Sequence, residues 1–157
     1  MLPPLNQIPE GIVSLGDYEA LARERVSPSA WAYLSGGAAD EITLRKNRSA
    51  FDDIEIVPRL FRDLSGASTA LTLFGRNYAH PVFIAPTAFH HLFHSAGETA
   101  TAMGAAALNA GMVVSTQAST PIEDIAASTD GPLWFQLYIQ PDRAFTLDLV
   151  QRAEATG

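Results

Sequence analysis

The sequence predicts an α/β fold built on parallel strands, and three observations carry that expectation. Val82-Phe83-Ile84-Ala85 is a continuous apolar run without polar alternation, the pattern of a parallel strand buried on both faces. A helical segment follows it, and the strand–helix order then repeats twice more. Strand starts at Val82, Met112 and Leu133 lie 30 and 21 residues apart, spacings that suit βα units joined by right-handed crossovers.

Composition sets the outer bounds. A length of 157 residues is enough for one domain with a substantial core, and 47% hydrophobic against 17% charged residues excludes a disordered chain. No apolar run approaches the roughly 18 residues of a membrane span. Ten basic against 17 acidic side chains give a net charge of -7, and the basic residues are scattered, which argues against a nucleic-acid-binding surface. The absence of cysteine excludes disulfide scaffolds, zinc ribbons and thiol nucleophiles together. The stretch from Met1 to Glu10 has neither a basic n-region nor an apolar core, so no secretory signal is expected and the cytoplasm is the default location.

The elements follow in order. Ser14 and Asp17 have capping-box spacing, and Leu15, Tyr18, Leu21 and Ala22 then recur at helical intervals through Arg25. Ser27 followed by Pro28 starts a second helix carrying Trp31, Tyr33 and Leu34, which Gly36-Gly37 stops. Asp40 can cap a third, through Leu44 to Phe51, after which Ile54, Ile56 and Pro58 change the period to extended. Thr69 to Phe74, a turn at Gly75-Arg76-Asn77, and Tyr78 to Pro81 read as a hairpin. Beyond Val82 come a helix from Glu98 to Asn109 closed by Gly111, a strand from Met112 to Ser115, a helix near Ile122 to Ala127 and a strand from Leu133 to Tyr138. A last helix spans Phe145 to Ala155, with Gly157 in the stop position. No linker divides the chain, so residues 1–81 are expected to form helices and a hairpin on the same domain as the βα units of 82–157.

Ligands of parallel α/β folds bind at the carboxyl ends of the strands. Those ends read Pro86-Thr87-Ala88, Ser115-Thr116-Gln117, and Gln136 with Tyr138. They supply donors and acceptors without fixed charge, which suits a planar heteroaromatic ring with carbonyl and imide edges. Ser115 and Gln136 could equally satisfy strand-end backbone groups, and strand ends turn polar in any barrel. Three successive strands turning polar after apolar bodies favour a site.

At these residues the sequence resembles the FMN-dependent 2-hydroxy acid oxidases and dehydrogenases, a family that includes glycolate oxidase and lactate oxidase. The resemblance runs from about Leu15 to Gly157. Its carriers are Tyr33-Leu-Ser-Gly-Gly-Ala-Ala-Asp40-Glu41 with Leu44 and Asn47, Ile84-Ala-Pro-Thr-Ala88, Gly97-Glu98, Ser115, and Trp134-Phe-Gln-Leu-Tyr138. It implies the N-terminal portion of a TIM (β/α)8 barrel, about three βα units preceded by helices and a hairpin, in a protein oxidising a small L-2-hydroxy acid (lactate- or glycolate-like) to the 2-keto acid with FMN.

By the same resemblance, Pro86, Thr87 and Ala88 pass along the flavin, with a backbone N–H near Ala88 directed at N5. Ser115 and Gln136 bond the flavin ring, Tyr33 binds the substrate carboxylate, and Tyr138, the catalytic candidate, hydrogen-bonds near the substrate hydroxyl. It further implies a homo-oligomeric full-length protein, with no nucleic-acid partner and no evident membrane attachment. Gln117 departs from the family, which often has an aromatic residue there. His94-Ser95-Ala96-Gly97-Glu98 replaces the frequent His-Pro-Glu-Gly-Glu.

His90 and His94 are four apart, but the metalloprotease pattern needs Glu where His91 stands, so no metal site is assigned. The family's base histidine, carboxylate-binding arginines, flavin lysine and phosphate segment lie on later strands of a barrel of about 250 residues. The 157 residues alone are therefore expected to hold FMN weakly or not at all, and not to turn over. The alternatives are another FMN-dependent barrel enzyme such as an isomerase, a non-catalytic fragment, and, least favoured, a zinc hydrolase on the histidines.

Overall fold

The computed structural model describes residues 2, 3, 5 and 7–157. The chain divides into two compact units, Met1–Ala67 and Ser68–Gly157.

The first unit is helical. A 3-10 turn at Leu15–Asp17 runs into α1, Tyr18–Arg25, followed by α2, Pro28–Ser35, and α3, Ile42–Ser49. The Asp17 carboxylate accepts from the Val13 N–H at 3.0 Å and the Ser14 N–H at 2.7 Å, as the spacing of Ser14 and Asp17 anticipates. The Ser27 hydroxyl accepts from the Ala30 N–H at 3.2 Å, with Pro28 at the first helical position.

Asp40 does not cap α3. Left-handed residues at Ala39 and Glu41 wind the entry one residue further, so Glu41 holds the cap position, and its carboxylate turns back to accept from the Gly37 N–H at 3.1 Å. Residues 54–59 carry no regular structure, and Ile54 and Ile56 are exposed. An extended segment needs a partner strand to become sheet, and none pairs with them among the described residues.

The second unit opens with β1, Leu71–Leu73, and β2, Arg76–Tyr78, paired antiparallel with Leu73 opposite Arg76. That register leaves a two-residue turn, Phe74-Gly75, instead of the expected Gly75-Arg76-Asn77. Phe74 (φ 50°) and Gly75 (φ 78°) are both left-handed, as a type I′ hairpin turn requires; glycine meets that demand without steric cost.

Three strands then form a parallel sheet in the order β3 (Phe83–Ile84), β4 (Gly111–Ser115), β5 (Leu133–Gln136). Between and after them run α4 (Gly97–Ala107), α5 (Ile122–Ala127) and α6 (Arg143–Ala155). The core is one cluster, in which Ala102 and Ala105 of α4 and Ile125 of α5 cover Met112 and Val114 of β4. Alanine on α4 lets the helix lie close to the strand.

Only β4 is buried along most of its length. Ile84 and Trp134 each remain more than a third exposed, because β3 and β5 each have a single strand neighbour. The hairpin belongs to this unit through its aromatic rings. Phe83 stacks tilted on Tyr78 at 5.1 Å and on Trp134 at 5.2 Å between centroids, and the Trp134 indole N–H donates to the Tyr78 hydroxyl at 3.0 Å. No helix among the described residues is long and apolar enough to cross a membrane.

Candidate functional site

The carboxyl ends of the three parallel strands converge. Ser115 ends β4 directly opposite Gln136 at the end of β5, so the parallel register alone sets their side chains side by side. Ser115 is buried, and its hydroxyl donates to the Gln136 amide oxygen at 3.4 Å and accepts from the Gln117 N–H at 3.1 Å. The Thr116 N–H donates to the same amide oxygen at 3.4 Å.

Beyond the last ladder pair, the Thr116 hydroxyl continues the join. It donates to the Gln136 carbonyl and accepts from the Tyr138 N–H at 2.9 Å. This anchors the Tyr138 backbone while the side chain stays half exposed. The segment after β3 is tied in by the Phe89 N–H, which donates to the Gln117 carbonyl at 3.1 Å. Phe89 adopts a left-handed φ of 57°, a conformation that costs a bulky residue energy and bends the chain directly after Ala88.

Pro86, Thr87, Ala88, Ser115, Gln136 and Tyr138 therefore share one rim of the second unit. Pro86 and Thr87 are exposed and Ala88 is half-buried. No acceptor among the described residues takes the Ala88 N–H, and no hydrogen bond among them uses the Gln136 amide nitrogen. Two donors thus remain available on an edge that carries no fixed charge. Tyr33 stands in the first unit on α2, and its side chain is about half exposed.

Sequence reasoning assigned no role to Glu98 beyond its place in a motif. It is only 1% exposed, and no cation among the described residues pairs with it. Its carboxylate accepts from the Ser119 N–H at 2.8 Å, the Ser119 hydroxyl at 2.9 Å, the Thr120 hydroxyl at 2.8 Å and the His90 N–H at 3.2 Å. Burial raises its pKa, and the donors, led by the Ser119 N–H and the Thr120 hydroxyl, outweigh that and hold it at about 2. An acidic residue in a first helical turn is usually explained by the helix dipole. Nothing local signals partners more than 20 residues away.

The histidines are occupied with scaffold contacts. His90 Nδ1 meets the Thr101 hydroxyl at 3.1 Å, His91 Nε2 the Thr120 hydroxyl at 3.2 Å, and His94 Nδ1 accepts from the Ala96 N–H at 3.1 Å. Among the described residues no group of three or more histidine and carboxylate side chains is placed to hold a metal ion.

Comparison with known proteins supplies the context for this rim. An L-lactate oxidase of Alicycliphilus denitrificans is 42% identical over 99% of the chain, and 2-hydroxyacid oxidase 2 of Rattus norvegicus is 42% identical over 93%. A crystal structure of mandelate oxidase with (S)-2-phenylpropionate superposes with a TM-score of 0.87 and 40% identity over 92% of the chain. The chain spans 42–43% of the length of each of these proteins. The family model described as FMN-dependent dehydrogenase matches residues 22–157, which takes in α2, the hairpin and the whole converging rim. With relatives of this identity along nearly its whole length, the chain belongs to the FMN-dependent dehydrogenase family.

Proposed function

We propose that this chain supplies the flavin-edge half of an enzyme that oxidises small L-2-hydroxy acids to 2-keto acids, with β3 to β5 as the first three strands of a (β/α)8 barrel. The observation that carries this reading is the rim itself. Ser115 and Gln136 stand side by side at adjacent strand ends, with the Gln136 amide nitrogen and the Ala88 N–H still available as donors.

The donor set fits an isoalloxazine edge, whose carbonyl, imide and ring-nitrogen atoms alternate acceptors and donors. Ser115 and Gln136 would hold the carbonyl and imide edge, and the segment Pro86, Thr87, Ala88 would lie along the ring with the Ala88 N–H toward N5. FMN, when bound, supplies the two-electron acceptor. Around it the chain's own groups orient and stabilise. Donors fixed before reaction favour the more electron-rich form of the ring edge, because they need no reorganisation as charge develops.

Tyr138 is the catalytic candidate, its hydroxyl assigned to bond near the substrate hydroxyl; the Thr116 hydroxyl holding its backbone N–H at the rim supports that reading. The assignment of Tyr33 to the substrate carboxylate rests on the motif around it. Relatives named for lactate and 2-hydroxyacid oxidation support the substrate class. The exposure of Pro86, Thr87 and Tyr138 supports a further point, that the 157-residue polypeptide alone holds FMN weakly and does not turn over.

Titrating FMN into the isotope-labelled chain, followed by amide NMR, tests both statements. Shifts confined to Thr87, Ala88, Ser115, Gln136 and their neighbours are expected, at weak affinity. No shifts at saturating FMN, or shifts elsewhere only, would overturn the site. Tight stoichiometric binding, or lactate-dependent bleaching of the flavin, would overturn the statement about the isolated chain.

A further inference from the structure

Glu98 is a buried carboxylate that the proposed chemistry does not use. A carboxylate out of water and without a cation needs a compensating reason to stay there. Its reason is geometric. One oxygen accepts from the His90 N–H, two residues past Ala88, and from the Ser119 N–H, four residues past Ser115; the other takes the Thr120 hydroxyl, and the Ser119 hydroxyl reaches both.

The Ser119 hydroxyl also accepts from the His91 N–H at 3.1 Å. The segments after β3 and β4 are thus held by one side chain projecting from the start of α4. Apart from that cluster, the Phe89 N–H to the Gln117 carbonyl is the backbone bond that joins them. Losing the carboxylate would remove the shared acceptor and leave the join to that bond and to the contacts of His91 with Ser119 and Thr120.

We propose that Glu98 is a positioning residue for the flavin edge: it clamps the segment after β3 to the segment after β4 and so sets the spacing between Ala88 and Ser115. The inference rests on the flavin reading given above. A carboxylate suits this role better than an amide, because all four donors point at it and a Gln side chain offers one acceptor oxygen and turns an N–H pair toward the others.

The test compares the intact chain with E98Q, and with S119A and T120V, which remove donors one at a time and leave the carboxylate in place. Ile125→Val is the control, a core change that lowers stability away from the rim. The readouts are amide exchange at Phe89, His90 and Ser119, and the FMN dissociation constant from the shifts of Ala88.

E98Q is expected to speed exchange at these amides and to weaken FMN roughly tenfold or more, as leaving buried donors unmatched does. S119A and T120V should show smaller losses in the same direction. I125V, at equal loss of thermal midpoint, should leave the dissociation constant within about twofold.

Unchanged exchange, or an FMN loss no larger than that of I125V, overturns the clamp. Should E98Q not fold, S119A and T120V decide, and equality with I125V again overturns it. Absence of any FMN shift in the unmodified chain overturns the flavin reading itself, whereas intact binding with an indifferent Glu98 overturns the positioning role alone.

Discussion

At the scale of single residues, two positions repay measurement. Gly111 begins β4 where a Cβ would lie 2.3 Å from the Phe83 ring, far inside contact distance. Phe83 packs against both Tyr78 and Trp134, so moving its ring disturbs those contacts. Gly111→Ala should therefore destabilise the second unit by about 1–3 kcal/mol, measured by denaturant unfolding. A loss within experimental error would mean that the ring moves freely.

Glu98 governs pH dependence. Its folded-state pKa, about 2, lies below the ordinary 4.5. Its stabilisation is therefore complete above the unfolded value and is lost as pH falls from there toward 2. Between about pH 6 and pH 3 the unmodified chain should lose more stability than E98Q. Parallel curves would show that the carboxylate gains nothing from its donors.

At the scale of elements, capping and pairing differ in weight. The Asp142 carboxylate accepts from the Ala144 N–H at 2.8 Å and the Phe145 N–H at 3.4 Å, closing the start of the longest helix, α6. Asp142→Ala should cost about 1 kcal/mol in thermal or chemical denaturation, and Asp142→Asn much less. The pair between Arg152 of α6 and Glu123 of α5 is close, 2.6 Å and 2.9 Å, yet both side chains are more than a third exposed. Its hydrogen bonds lower the Glu123 pKa to about 2, but solvent screens the energy of such a pair. The cap outweighs it, although the ion pair has the shorter contact.

At the scale of the whole molecule, the second unit contains the core, the parallel sheet, the hairpin and the rim. Ile125 of α5, with no exposed surface, packs with α4 and β4 within that unit. A polypeptide of residues 68–157 should accordingly retain protected amides along β4, measured by hydrogen exchange. Loss of that protection, with the intact chain still protected, would show that the first unit is required for the core. The same unit leaves the open sides of β3 and β5 without strand partners among the described residues.

Most of the elements were legible in the sequence because their causes are local. Helical spacing and a Ser-Pro start identified α2, an apolar run identified β4, and α5 falls where its pattern put it. Even the convergence of Ser115 and Gln136 follows from strand ends read along the chain. Local rules misjudged the turn at Phe74-Gly75 and the start of α3, where left-handed residues other than glycine set the geometry.

Burial of β3 on both faces was overestimated because an apolar run says nothing about how many neighbours a strand has. The attachment of the hairpin through its aromatic rings, and the clamp at Glu98, were decided only by tertiary structure. Their partners lie 56 residues apart for Trp134 and Tyr78, and 21 and 22 for Ser119 and Thr120 with Glu98. The chain's own residues determine which groups are available, and only folding brings distant donors to one buried acceptor, where water no longer competes for them.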